Sequence, residues 1–175
     1  MIRHQLGRIL VIILATALII IGVWWGLREN RPTLSPPTMQ TVSLYFGEPN
    51  SELLVVETRD MEEPVSVAEV VAALCAGPLN PKYVAVIPPN CRLLAVEVEQ
   101  GVATVSFSRE LVEDHPGGSS AELQTVFSIV NTLTSLPGIR QVVLLVEGMP
   151  VDTLTGHVDL SQPLEFAAEM VSPGN

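Results

Sequence analysis

Asp114-His115 and Ser119-Ser120 bring an acid, an imidazole and two hydroxyls within seven residues. These are the residue types of a nucleophile, its base and the group that orients the base. Neighbours in sequence rarely supply that geometry. Pro116-Gly117-Gly118 separates the two pairs, no nucleophile elbow surrounds Ser119, and Ser119 with Glu122 three residues on reads as a capping box. The expectation is a loop followed by a helix start, not a hydrolase centre. Asp152, His157 and Asp159 form a second group of potential ligands. Their spacing matches no known cation loop, and oxygen-ligated sites need more converging donors, so they read as a solvated edge. Asn131, inside a helical pattern, is either a buried hydrogen-bonding residue or a partner contact.

Cys75 and Cys91 are the only cysteines. Two ligands do not make a metal site, but an even number allows a disulfide tying a helix to a sheet. Equally, Cys75 reads as a small buried hydrophobe. Gly77-Pro78 and Gly148 read as backbone devices, a helix stop and a tight turn. No cofactor is expected.

The elements that would position these residues are marked by punctuation. Val42, Leu44 and Phe46 alternate with Ser43 and Tyr45, predicting a half-buried strand, and Leu53 to Thr58 predicts a second. Ser66 and Glu69 form a capping box, Val67, Val70, Val71 and Leu74 make one stripe, and Gly77-Pro78 ends that helix. Four prolines, Pro78, Pro81, Pro88 and Pro89, predict a loop. Leu94 to Glu99, Gln100-Gly101 and Val102 to Phe107 predict a hairpin. Leu123, Val126, Phe127, Val130 and Leu133 predict a second helix, ended by Leu136-Pro137-Gly138. The continuous apolar run Val142 to Val146 predicts a central strand covered on both faces. The expected fold class is α+β, a small mixed sheet with two helices on one face and the core order αββαβ.

Ile9 to Leu27 is a 19-residue stretch without a charge. As a helix it spans about 28 Å, close to a bilayer core of about 30 Å, which predicts an N-terminal transmembrane helix. Trp24 and Trp25 fit an interfacial belt. A cleaved signal peptide is the rival, with Arg3 and Arg8 before the stretch and Ala15-Thr16-Ala17 as a cleavage pattern, but cutting there would expose an apolar new N-terminus. The whole chain of 175 residues carries a net charge of −10, whereas from Pro32 onward 18 acidic side chains face five basic ones, a net −13. That balance excludes nucleic acid as a partner and predicts a domain on the outer side of the membrane. The expected organisation is a cytoplasmic N-terminus (1–8), an anchor (9–27), a proline-rich spacer (28–39), a domain (40–166) and a frayed tail (167–175).

Seven stretches in order carry a resemblance: Val42-Ser43-Leu44-Tyr45-Phe46, Leu74-Cys75-Ala76-Gly77-Pro78, Ile87-Pro88, Gly101 to Ser108, Asn131-Thr132-Leu133-Thr134, Val146-Glu147-Gly148 and Gly156 to Leu160. Together, over about residues 40–166, they resemble the GerMN domain of sporulation and spore germination proteins. The resemblance implies a fold similar to a ring-building motif, and an envelope role without a catalytic centre. Its motif positions here are Gly77, Pro78, Pro88, Gly101, Phe107, Thr132, Gly148, Gly156 and His157. The chain carries one domain copy rather than a tandem pair and lacks a cysteine suited to lipid attachment. The reading at this stage is a membrane-anchored, extracytoplasmic, non-enzymatic interaction or scaffold module, with envelope proteins or self-association as partners. The alternative is a module that binds peptidoglycan or another cell-wall polymer.

Overall fold

The computed structural model describes residues 16–25 and 37–173. It divides into two units, Met1–Pro36 and Pro37–Asn175. In the first unit the described residues 16–25 form helix α1, with every residue exposed. Among the described residues no helix is long and apolar enough to cross a membrane. The expected transmembrane helix is therefore not found, and the single-pass membrane location and membrane partnership built on it fall with it. Residues 9–15, 26 and 27 of that expected anchor, and spacer residues 28–36, lie outside the described residues.

The second unit opens with the hairpin β1 (Met39–Gly47) and β2 (Leu54–Glu62), a two-stranded antiparallel sheet. Its turn is closed by Glu48 N–H donating to the Leu53 carbonyl at 2.9 Å, with Asn50 at φ 58. Helix α2 (Val67–Cys75) begins at Ser66 with the capping box intact, Ser66 Oγ accepting from Glu69 N–H and the Glu69 carboxylate from Ser66 N–H. It stops where Gly77 adopts φ 86, and Gly77 N–H donates to the Leu74 carbonyl.

A five-stranded sheet follows, with β3 (Leu93–Glu99), β4 (Val102–Phe107), β5 (Gln141–Val146), and the two-residue strands β6 (Met149–Pro150) and β7 (Leu164–Glu165). β3 and β4 pair antiparallel across Gln100 (φ 51) and Gly101 (φ 86), a turn whose handedness suits the strand twist. β4 and β5 pair parallel through a crossover holding the short helix α3 (Glu110–Glu113) and the long helix α4 (Ser119–Thr134). The order α2, β3, β4, α4, β5 is the expected αββαβ, and the sheet is mixed.

The register decides which face is core. Ala103, Val105, Phe107, Val142, Leu144 and Val146 share the face that meets the helices, and all belong to the main apolar cluster. Val102, Thr104, Val143 and Leu145 share the opposite face and belong to neither apolar cluster. β5 is thus covered on one face, not two, because a parallel strand pair with both helices on one side leaves the other side open.

Helix α4 is enclosed. It lies along β1, α2, β5 and β7, and nine of its residues are buried, among them Glu122, Thr125, Ser128, Asn131 and Thr132. The chain end packs as well. Ala167 and Met170 are buried with Tyr45 and Leu54 in a second apolar cluster, Val171 bridges Leu54, and Ser172 N–H donates to the Leu54 carbonyl at 2.8 Å. Tyr45 therefore does not face solvent as strand alternation predicts. The tail, through residue 173, covers it.

Candidate functional site

The polar side chains at the start of α4 are the residues with potential chemistry, and the fold disperses them. The helix N-cap is Gly118, at φ 89, and no side chain caps it. Ser119 is already inside the helix and exposed, while Ser120 Oγ donates to Glu52. Asp114 accepts from Asn90 Nδ2 at 3.0 Å. His115 Nδ1 accepts from Gly117 N–H at 3.0 Å, so Nε2 carries the proton and donates to Thr125 Oγ1, also at 3.0 Å, and that hydroxyl donates to the Val86 carbonyl. Burial lowers the His115 pKa, against the attraction of Glu122. This imidazole is a neutral strut between a glycine turn and the proline loop. No hydrogen bond joins Asp114, His115, Ser119 and Ser120 to one another among the described residues.

Glu122, expected as the acid of a capping box, is fully buried. Its Oε1 accepts from Leu154 N–H at 2.8 Å, and its Oε2 from Thr155 Oγ1 at 2.6 Å and His157 N–H at 2.9 Å. Burial alone would raise the pKa, but these donors outweigh it and hold the carboxyl down to about 2. The carboxylate thereby folds residues 154–157 onto α4. His157 contributes its main chain to this knot while its side chain stays exposed. Asp159 Oδ1 accepts from Ser161 N–H, and no group of three or more His, Cys, Asp or Glu suited to a metal occurs among the described residues.

The rest of the polar face of α4 serves neighbouring backbone. Asn131 makes a two-way amide pair with Ala167, Nδ2 donating at 3.0 Å and Oδ1 accepting at 2.9 Å. Tyr45 N–H donates to Thr132 Oγ1, and Ser128 Oγ donates to the Tyr45 carbonyl at 2.6 Å. Main-chain groups of β1 that would invite another strand are thus filled from the helix. Gln124 Nε2 donates to the carbonyls of Ser51 and Leu53. One signal for this enclosure was available in sequence: across its 16 residues α4 carries a single charged side chain, too few for a solvent-facing helix.

A second polar device sits at the end of α2. Arg59 forms a 2.6 Å ion pair with Glu57, donates to the carbonyls of Ala73 and Gly77, and lies over the Phe46 ring. Glu57 in turn accepts from Leu79 and Asn80 N–H. Burial works to raise its pKa, but these donors and the guanidinium hold it below the ordinary value. Cys75 and Cys91 are both free thiols. Burial pushes them to about 11 and about 12, the second raised further by Cys75 itself.

The glycines and prolines of the expected motif occupy turns and close approaches. At Gly101 an added Cβ would lie 2.7 Å from Arg140 Cζ, because Arg140 crosses the turn to donate to the Gln100 carbonyl. Gly148, at φ 75, turns β5 into β6, and its N–H donates to Ser106 Oγ. Pro88, buried, lines a cleft of about 330 Å3 with Val86, Pro116, Gln124 and Thr125. Its polar lining residues are already engaged, Gln124 and Thr125 with backbone carbonyls and Asp114 with Asn90 Nδ2.

A family model described as "Sporulation and spore germination", named Germane, matches residues 43–152. The chain belongs to the Germane family. A search of curated proteins found no match. Among solved structures, the Germane domain is similar to the tandem GerMN domains of the sporulation protein GerM from Bacillus subtilis, at 24% identity and a TM-score of 0.60, covering 73% of this chain and 46% of that one. The first GerMN domain of the same protein matches at 20% identity and a TM-score of 0.53, covering 74% and 98%. A candidate lipoprotein from Clostridium perfringens matches at 24% and 0.52, covering 76% and 93%. These likenesses concern the fold.

Proposed function

We propose that this Germane domain is a protein–protein interaction or scaffold module acting in sporulation or spore germination. The family match over residues 43–152 carries the reading. Two structural features support it. The polar residues with catalytic potential are engaged in holding backbone, as Glu122, His115 and Asn131 illustrate. The five-stranded sheet also leaves one face without a covering layer. Membrane attachment forms no part of the proposal.

A cell-wall-binding module is less well supported, since polymer sites present exposed aromatic side chains. Among the described aromatics of the domain only Phe166 is exposed, and its ring packs edge-on against Tyr45 at 5.8 Å.

The test is crosslinking of the full chain in its source cells, followed through sporulation and germination where these occur, with mass spectrometry of the products. A reproducible protein partner or a self-crosslink is expected. Absence of both, or hydrolytic turnover of an active-site probe, would overturn the reading.

A further inference from the structure

We propose that the outer edge of β3 binds an extended segment of a partner protein in which basic and apolar side chains alternate. β3 ends the strand order of the sheet, so nothing pairs with its second edge among the described residues. The pair Glu99–Val102 closes a two-residue turn, which makes it a hydrogen-bonded pair, and the alternation of an antiparallel ladder then turns the main-chain N–H and C=O of Val96 and Val98 toward the free edge. By contrast, β1 has Tyr45 filled by Ser128 and Thr132, and Gly47 is taken by a bridge to Val84.

Side chains on β3 specify what would be added. Leu94 and Val98 are 49% and 44% exposed, unusual for aliphatic residues in a strand. Val98 shares the helix-side face with Val96, as the register sets it, and an added strand would place apolar residues beside them. Ala95, Glu97 and Glu99 point to the open face of the sheet. There Glu97 and Glu99, with Gln100, Val102 and Thr104, line a cleft of about 340 Å3. Neither glutamate makes an ion pair among the described residues, where the pairs are Arg59–Glu57 and Arg109–Glu147. Lysine or arginine at alternate positions of the added strand would lie beside both carboxylates.

Charge also chooses between partners. A second copy would bring another β3 with two glutamates and no cation, on a chain of net −13 from Pro32 onward. Edge charges and the register shift between Leu93 and Ala95 keep identical edges apart, which is how sheet proteins avoid self-pairing. A basic segment meets no such barrier. The inference rests on the interaction-module reading and deepens it. The two fail separately, because a crosslinked partner mapped to another surface keeps the module and removes the β3 site.

The experiment measures binding of a fluorescent eight-residue peptide of alternating Lys and Val to the full chain by anisotropy. An alternating Glu and Val peptide is the control, together with a Lys and Val peptide N-methylated on the residues that would face β3. Expected are saturable binding of the first peptide only, amide-exchange protection of Val96 and Val98, and affinity about fivefold to tenfold weaker in the folded double variant Glu97→Gln/Glu99→Gln. No binding, undiminished binding of the N-methylated peptide, or unchanged affinity in the double variant would overturn the proposal. So would self-association protecting the same two amides.

Discussion

Glu122→Gln offers the sharpest test of how the domain is held together. The carboxylate is fully buried and held by donors from Leu154, Thr155 and His157, with the neutral imidazole of His115 close enough to feel its charge. Folding lowers its pKa from an ordinary 4.5 to about 2. At about 1.4 kcal/mol per unit, that difference corresponds to roughly 3 kcal/mol of stability at neutral pH. A folded pKa depressed in this way gives stabilisation that is complete above pH 4.5 and lost as pH falls toward 2. Glutamine keeps the shape but turns an amide NH2 toward at least one N–H or O–H donor, leaving a buried donor unpaired. Urea unfolding of both proteins between pH 7 and pH 2 is the assay. The variant should be less stable by roughly 3 kcal/mol at pH 7, and the gap should close toward pH 2, where the wild-type carboxyl takes up its proton. Taking the difference between the two proteins removes the parallel titrations of Glu57, Glu69, Glu110 and Asp159, which also have lowered pKa values. A loss below about 1 kcal/mol at pH 7, or a gap independent of pH, would refute the reasoning.

Three further outcomes follow from the same geometry. Asn131→Ala orphans both main-chain groups of Ala167 and should cost about 2 kcal/mol, with the Ala167 amide exchanging faster while β4 amides remain protected in native-state exchange. Arg59→Met strands the Glu57 carboxylate and uncaps α2, for roughly 3 kcal/mol in urea unfolding, and adding Glu57→Gln should recover part of that loss. Thiol titration of unreduced protein should find Cys75 and Cys91 unreactive while folded and two thiols after denaturation; a smaller count would reveal the disulfide that the sequence permits.

Local patterns were legible where neighbours in sequence are neighbours in space. The capping box of α2, the Gly77 stop, the Gln100-Gly101 turn and the αββαβ order all rest on short-range chemistry, and the structure has each of them. Identical local patterns misled where distant groups compete. Ser119 and Glu122 have capping-box spacing, yet the glutamate is drawn away by three donors more than 30 residues downstream. The run Val142 to Val146 looks doubly buried, but apolarity does not record whether a second layer exists, and Val143 and Leu145 face an uncovered side. The 19 uncharged residues from Ile9 measure a bilayer well, yet among the described residues no helix is long and apolar enough to cross one.

The potential catalytic residues show the same division. Composition and punctuation alone pointed to an acidic α+β domain and made a hydrolase at Ser119 implausible, while seven motif stretches carried the resemblance to the GerMN family that the match over residues 43–152 bears out. Only tertiary structure decided what Glu122, Asn131, Thr132 and His115 do, because a buried polar group must find its partner wherever the fold brings one. For Asn131 that partner lies 36 residues away, and for Thr132 it lies 87 residues away. Helix spacing shows that such a side chain has a face. It cannot show what backbone arrives there, and that arrival turns a set of reactive residue types into structural ties.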